Sequence, residues 1–386
     1  MTYKIATLNK ISGKGMSLLT DQYEVIDDPK GADGIIVRSQ DMHEMELKKP
    51  LLSIARAGAG YNNIPVEACT EKGIVVFNTP GANANGVKEL VIAGLLLAAR
   101  NIPEALDWAK TLGKDAASVV EKGKSKFAGE ELQGKVLAVI GLGAIGVLVA
   151  NAAENLGMKV VGFDPYLSVK AAHDLSPSVR IFDKLESLLP HADYVTIHVP
   201  ASKDTNGMIN YEVIDAMKNK AVLLNFSRDK LVDTEGLKRA LAEKKLRLYV
   251  TDFPIDDIVG LNNVLLIPHL GASTKESEEN CAVMAVEQTV DYIEHGNIEN
   301  SVNFPAVSMG LLPEGVSRVI IIHKNVPGTI GLLSGAIAEL GFNIENLTNK
   351  SKGEYAVSVL DIHAKVKKPE ILAAIDSDDI ISVRVI

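Results

Sequence analysis

Apolar positions along this chain follow two rhythms. In the first part, short apolar runs of strand length at 3–8, 34–39, 52–56 and 73–78 alternate with helical stretches. That alternation predicts a parallel sheet with helices between its strands. Residues 87–100 read as a helix that is apolar almost all round. Such a helix is buried, here at an interdomain or subunit contact. The strand rhythm resumes at 135–140, 159–163, 194–200, 221–226, 246–253 and 264–267, and a long helix over 276–295 leads back toward the first region. Between 300 and 316, Pro305, Gly310, Pro313 and Gly315 interrupt all periodicity. The tail then reads as strand 319–322, helix 328–340, a weak strand near 344–349, strand 354–362, helix 368–375 and strand 381–386. This is a βαββαβ, ferredoxin-like pattern.

One junction carries chemistry. The strand at 135–140 runs into Gly141-Leu142-Gly143-Ala144-Ile145-Gly146, a helix follows over 147–156, and the next strand ends at Asp164. The first glycine permits the tight turn, the second lets backbone approach a pyrophosphate, and the third lets helix and strand pack closely. The helix N-terminus offers N–H groups and a positive dipole end to phosphates. A carboxylate at Asp164 suits the adenosine ribose hydroxyls and repels a 2′-phosphate, and Pro165-Tyr166-Leu167 brings no cation. The expected cofactor is therefore NAD. The fold class is α/β: two Rossmann-like parallel-sheet domains plus the C-terminal ferredoxin-like βαββαβ domain. The expected divisions are a substrate domain over 1–98 completed by 275–305, a cofactor domain over 99–274, and a tail domain over 317–386.

Composition narrows the class further. The 386 residues, 47% hydrophobic with a formal net charge of −9, describe an acidic globular protein without a basic patch for nucleic acid. The longest apolar run, 136–150, is shorter than the ~20 residues that span a bilayer. The polar N-terminus shows no signal peptide, so a cytoplasmic setting is expected. Cys69 and Cys281 form no CxxC pair, which argues against a metal or redox motif.

Three strand ends hold the reactive candidates. Arg228 closes the run 224–228, where a guanidinium can grip a carboxylate through two parallel hydrogen bonds. His269 lies just beyond the strand 264–267, and an imidazole is the natural acid–base near neutral pH. Between them stand Asp252 and the pair Asp256-Asp257, any of which could orient and charge-stabilise an imidazole. An arginine, an acid and a histidine beside NAD suggest one reaction. The arginine binds a 2-oxo or 2-hydroxy carboxylate, the histidine exchanges a proton with the oxygen at C2, and the nicotinamide exchanges a hydride with C2.

With these residues the chain resembles the D-isomer-specific 2-hydroxyacid dehydrogenase family over nearly its whole length. The resemblance implies that Arg228, His269 and an acid are catalytic. It implies that Gly141, Gly143, Ala144, Ile145, Gly146 and Asp164 bind NAD, with His198-Val199-Pro200 on the adenosine side and Asp252 at the nicotinamide amide. The turn 57–62, with Gly58, Ala59 and Asn62, would hold the substrate carboxylate through backbone N–H groups. Members specific for phosphoglycerate use basic residues of the first domain for the phosphate, and Arg38 (with Ser39) and Arg56 match those positions. The implied activity is oxidation of 3-phospho-D-glycerate to 3-phosphooxypyruvate. The alternatives are a glycerate or hydroxypyruvate reductase, or a non-enzymatic NADH-sensing protein.

The tail resembles an ACT domain, through 322–328 and 341–344. ACT domains pair edge to edge and bind amino acids, and in serine-inhibited relatives the effector residues match His323, Asn325 and Asn343. Self-association as a homodimer or homotetramer follows, and no metal is implied. Three departures stand out. The family's usual glutamate is replaced by Asp257, counting from Arg228, or by Asp256, counting from Phe253-Pro254. Ala144 stands where an arginine is frequent, and no further domain precedes the tail.

Overall fold

In the computed structural model, which describes residues 2–375 and 377–386, the chain divides into two compact units. One holds residues up to 82 together with 278–386, the other residues 83–277. The first unit opens with β1 (Tyr3–Leu8), α1 (Gly13–Met16), β2 (Tyr23–Ile26), β3 (Gly34–Val37), β4 (Ser53–Arg56), α2 (Val66–Glu71) and β5 (Val75–Phe77). Its strands form a parallel sheet in the order β2-β1-β3-β4-β5. β2 is absent from the apolar pattern because it is an edge strand in which Glu24 and Val25 are exposed. Strand order reverses at β1 and β3, the place where such sheets bind ligands.

The second unit contains α3 (Ala84–Arg100), α4 (Ile102–Lys110), α5 (Ala116–Gly123), β6 (Val136–Ile140), α6 (Ala144–Asn155), β7 (Lys159–Phe163), α7 (Val169–Asp174), β8 (Arg180–Ile181), α8 (Leu185–Leu188), β9 (Tyr194–Ile197), α9 (Tyr211–Asp215), β10 (Ala221–Asn225), α10 (Thr234–Ala242), β11 (Leu246–Thr251) and β12 (Val264–Leu266). Its seven parallel strands lie in the order β12-β11-β10-β9-β6-β7-β8. Alternate residues bury on opposite faces, as the period of a strand requires. Leu137, Val139, Val222 and Leu224 meet α3 and α6, whereas Ala138, Ile140, Val195 and Leu223 pack with Ile214, Leu237 and Ala240 of α9 and α10. The apolar helix α3 belongs to this unit. The stripe Val87, Val91, Leu95 and Ala98 shares a core with Val147, Ala150 and Ala153 of α6. A Cβ at Gly94 would lie 2.9 Å from the Phe226 ring. Helix α3 is thus held within the second unit by its own neighbours.

α11 (Lys275–His295) returns the chain to the first unit, and the tail follows as β13 (Ser317–Lys324), α12 (Thr329–Glu339), β14 (Asn346–Lys352), β15 (Tyr355–Ile362), α13 (Lys368–Ala374) and β16 (Ile380–Val385). The antiparallel order is β14-β15-β13-β16. Val319, Ile321, Leu360 and Ile362 pack with Leu333 and Ile337 of α12 and Ile371 of α13. The opposite face carries Ile320, Ile322, Val357 and Val359, which join Phe77, Ala285, Tyr292 and Phe304 in one core. The tail sheet thus packs on its own helices with one face only. Its other face completes the hydrophobic core of the first sheet. Among the described residues no helix is long and apolar enough to cross a membrane.

Candidate functional site

In the second unit the strand order reverses between β6 and β9, which places a crevice at their carboxyl ends. The glycine turn sits there. Gly141 has φ +92°, and a Cβ on it would lie 2.6 Å from the His198 carbonyl oxygen. A Cβ on Gly146 would lie 1.9 Å from the Gly141 oxygen, so helix and turn close on each other only through glycine. Gly143 faces open space and caps α6 with no side-chain hydrogen bond. The helix start at Ala144, Ile145 and Gly146 therefore keeps its positive end for an anion. Asp164 ties the turn down: its Oδ2 accepts from the Leu142 N–H at 2.8 Å and its Oδ1 from the Tyr166 N–H at 2.8 Å. Two contacts leave lone pairs on the carboxylate for ribose hydroxyls.

The segment His198-Val199-Pro200 lies against this turn, with Val199 also within 2.8 Å of a Cβ placed on Gly141. His198 Nε2 is 3.0 Å from Thr196 Oγ1, while its buried Nδ1 has no hydrogen-bond partner among the described residues. Burial drives this imidazole down to about 3. The unfolded chain binds the proton near 6.5 and the folded chain near 3. Stability from this residue is thus fully present above the upper value and falls as the pH drops below it. The loss reaches about 2 kcal/mol at a pH of about 5. Melting of the wild type and of His198→Asn between about pH 7 and pH 5 checks this: the variant should lose less on acidification. Equal losses would refute a buried neutral imidazole.

Three more strand ends bring Arg228, Asp252 and His269 into one electrostatic neighbourhood. The turn after β10 is fixed by Asn225, whose Oδ1 accepts from the Ser227 N–H and whose Nδ2 donates to the Arg228 carbonyl at 2.8 Å. Ser227 Oγ donates to the Ile197 carbonyl at 2.9 Å. Nothing in the sequence marks these two buried polar residues, because burial shows only once their partners are in place. Arg228 is exposed; its Nη1 donates to the Ser227 carbonyl at 2.6 Å, and its other N–H groups are open to a ligand. Asp252 is 1% exposed. Its Oδ2 accepts from the Gly271 N–H at 3.0 Å, and its Oδ1 has no partner among the described residues. Burial holds this carboxyl above its usual value, opposed by the Gly271 N–H, the His269 imidazole and the Arg228 guanidinium. His269 is exposed and stacks on Phe253, ring centroids 4.7 Å apart. A Cβ on Gly271 would lie 3.2 Å from Asp252 Oδ2 and 3.4 Å from Val87, which explains the glycine after the histidine.

The expected acids Asp256 and Asp257 are both exposed. Ile258 is buried and Ile255 packs beside it in the core, which turns the two intervening aspartates to solvent. Asp257 Oδ1 instead lies 3.4 Å from Lys238 Nζ of α10. Among the described residues neither aspartate is hydrogen-bonded to His269, whereas the His269 and Arg228 charges both act on Asp252.

The first unit holds the other candidates at its own strand ends. Asn9, at φ +73°, accepts from the Ser39 and Gln40 N–H groups through Oδ1 at 2.9 and 2.8 Å. It thereby sets the turn that follows Arg38. Arg56 Nε donates to the Arg38 carbonyl at 3.0 Å. Its guanidinium occupies the space a Cβ on Gly58 would need, 1.6 Å from Nη1. The Ala59 carbonyl accepts from Asn78 Nδ2 at 2.7 Å, and Asn62 is exposed. Cys69 and Cys281 are both buried as free thiols.

In the tail, His323 is 2% exposed and turned inward. Its Nδ1 is 2.7 Å from the Lys324 carbonyl and its Nε2 is 2.9 Å from Ser358 Oγ, which donates to Asn349 Oδ1. Asn325 donates to the Gly353 carbonyl and Asn343 is exposed. The three expected effector residues therefore share no hydrogen bond with one another, because strand alternation points His323 toward the helix side while the two asparagines lie on turns.

Comparison with known proteins places this geometry. Residues 92–271 match the family model described as "D-isomer specific 2-hydroxyacid dehydrogenase, NAD binding domain". A D-3-phosphoglycerate dehydrogenase of Methanocaldococcus jannaschii is 38% identical over 295 residues, which are 74% of this chain and 54% of that protein. The chain thus spans about half the length of the first curated relatives it matches, 54% in each of two archaeal cases. D-3-phosphoglycerate dehydrogenase of Escherichia coli K12 is 34% identical over 326 residues, 81% of this chain and 76% of that one. The solved NAD+-bound 3-phosphoglycerate dehydrogenase of Entamoeba histolytica superposes with a TM-score of 0.61 at 29% identity, covering 78% of this chain and 99% of that one. With the glycine crevice, the arginine and histidine strand ends and these relatives together, the chain belongs to the D-isomer-specific 2-hydroxyacid dehydrogenase family.

Proposed function

We propose that this protein is an NAD-dependent dehydrogenase that interconverts 3-phospho-D-glycerate and 3-phosphooxypyruvate. The observation that carries the reading is the grouping of Arg228, Asp252 and His269 at the carboxyl ends of β10, β11 and β12, in the sheet that carries the Gly141 turn. Arg228 binds the substrate carboxylate and sets the face presented to His269. The His269 imidazole takes the proton from the C2 hydroxyl and returns it in the reverse direction. The buried negative charge of Asp252 favours the imidazolium that this transfer creates. Asp256 and Asp257, solvated or paired with Lys238, have no such part.

The cofactor fits the residues present. The first turn of α6 and the glycines suit a pyrophosphate, Asp164 the ribose, and His198 to Pro200 the adenosine side. The unpartnered Oδ1 of Asp252 is an acceptor suited to the nicotinamide amide. When bound, NAD supplies the two-electron partner of the C2 oxidation. Arg38, Ser39 and Arg56 are assigned to the substrate phosphate, and the turn with Gly58, Ala59 and Asn62 to its carboxylate. The names of the relatives and the cations at the β3 and β4 strand ends support the phosphorylated acid over plain glycerate.

His323, Asn325 and Asn343 are assigned to an L-serine effector, which requires His323 to exchange its contacts with Lys324 and Ser358. β14 ends the tail sheet with its outer edge unpaired among the described residues, a template for pairing with a second copy. We assign a homodimer or homotetramer, and a cytoplasmic setting. The deciding measurement is NADH-dependent reduction of 3-phosphooxypyruvate beside hydroxypyruvate, with and without millimolar L-serine. A strong preference for the phosphorylated acid, lost with serine, is expected. Equal rates on both acids would overturn the substrate, and no rate on either would favour an NADH-sensing protein. Serine that changes neither activity nor melting temperature would overturn the effector.

A further inference from the structure

At the carboxyl end of the first sheet, Arg38 is already engaged. Its Nη2 donates to Glu278 Oε1 of α11 at 2.6 Å, with side chains 45% and 44% exposed. The pair stands at the β1/β3 switch point, beside the turn that Asn9 fixes. Arg56 is tied to the Arg38 backbone. The three charged groups act on one small volume. The thiol of Cys281, one turn along α11 from Glu278, is raised by burial, lowered by the Thr79 side chain, and then lowered by Arg56 and Arg38 and raised by Glu278. Two guanidinium groups at a strand-end crevice would make a strongly anion-attracting corner, and this chain sets a carboxylate of its own among them.

We propose that Glu278 is a specificity-determining residue that competes with the substrate's phosphate for Arg38. The inference deepens the phosphoglycerate reading and rests on it. An exposed ion pair is weakly held, so an incoming phosphate can take Arg38 from Glu278. The displaced carboxylate remains a few ångströms from a dianion, and like charges at that distance in a partly solvated site repel. The wild-type chain thereby discriminates less strongly for the phosphorylated acid than its two arginines alone would allow. An unphosphorylated 2-oxo acid puts no charge at this corner and does not feel the competition.

The test is Glu278→Gln, which keeps a hydrogen-bonding side chain at Arg38 and removes the charge. The ratio of kcat/KM on 3-phosphooxypyruvate to kcat/KM on hydroxypyruvate should rise about three- to tenfold. Inorganic phosphate, titrated calorimetrically into the same proteins, should bind tighter by a similar factor. Glu278→Asp, which keeps the charge, should stay near the wild-type ratio. An unchanged or lower ratio and unchanged phosphate affinity in Glu278→Gln would overturn the proposal, as would an equal rise in Glu278→Asp. If no protein reduces either acid, the dehydrogenase reading fails, and the phosphate titration still decides whether Glu278 opposes an anion at Arg38.

Discussion

Replacing His269 by Asn should lower kcat by about 10²–10⁴-fold with a much smaller change in KM. Asparagine keeps a polar side chain on an exposed turn and loses only the titrating nitrogen, so the fold has little reason to respond. The turn itself is set by Gly271 against Asp252 and Val87, and the stack on Phe253 is a surface contact. Arg228→Gln offers the contrast. Losing a residue that grips the substrate carboxylate should raise KM, because ground state and transition state both lose the contact, and should lower kcat only through the loss of the face it presents to His269. Steady-state kinetics on 3-phosphooxypyruvate separates the two patterns. Full activity in the His269 variant would refute its role as acid–base. An unchanged KM in the Arg228 variant would refute carboxylate binding.

The second large effect lies far from the reaction. Arg318 is fully buried where the tail sheet meets the first sheet. Its Nε and Nη2 donate to the two oxygens of Asp361 at 2.7 and 2.9 Å, and Asp361 is itself 3% exposed. Nη1 donates to the carbonyls of His295 and Gly310 at 2.7 and 2.8 Å, so the same guanidinium satisfies the end of α11 and the linker beyond it. Arg384 likewise donates to the Tyr292 and Ile293 carbonyls. Arg318→Ala leaves the buried Asp361 carboxylate without its cation and takes a donor from the His295 and Gly310 carbonyls, and should cost about 3–5 kcal/mol. Arg318→Lys should recover little, because an ammonium cannot span both oxygens and both carbonyls. Arg318→Met with Asp361→Leu should recover most of the loss, since removing both charges removes the penalty. Denaturant midpoints of the three proteins check the order. An Arg318→Ala protein of wild-type stability would mean that the interface does not depend on this ion pair.

The two predictions bear on different kinds of legibility. Arg228 and His269 could be read because chemistry at a strand end needs specific residue types, and the apolar runs before them mark the strands. The Gly141 turn was readable for the same reason: each glycine answers a close approach or a positive φ that the structure displays. Asn225, Ser227 and Arg318 were not readable. A buried polar residue looks like any other polar residue until its partners are known, and the partners of Arg318 are 43 residues away at Asp361 and 23 away at His295.

The sequence by itself determined the parallel α/β sheets, the βαββαβ tail and the cofactor turn, because strand and helix periods and glycine requirements are local properties of the backbone. Only the tertiary structure decided which acid is buried at these strand ends. Asp256 and Asp257 are carried outward by the anchoring of Ile255 and Ile258, while Asp252, one residue beyond β11, is buried beside Gly271. It also decided that α3 packs on α6 and that the tail sheet shares a core with the first sheet. An apolar face announces that it must be covered. Which surface covers it depends on shapes and partners brought from distant parts of the chain, and these do not exist until the chain has folded.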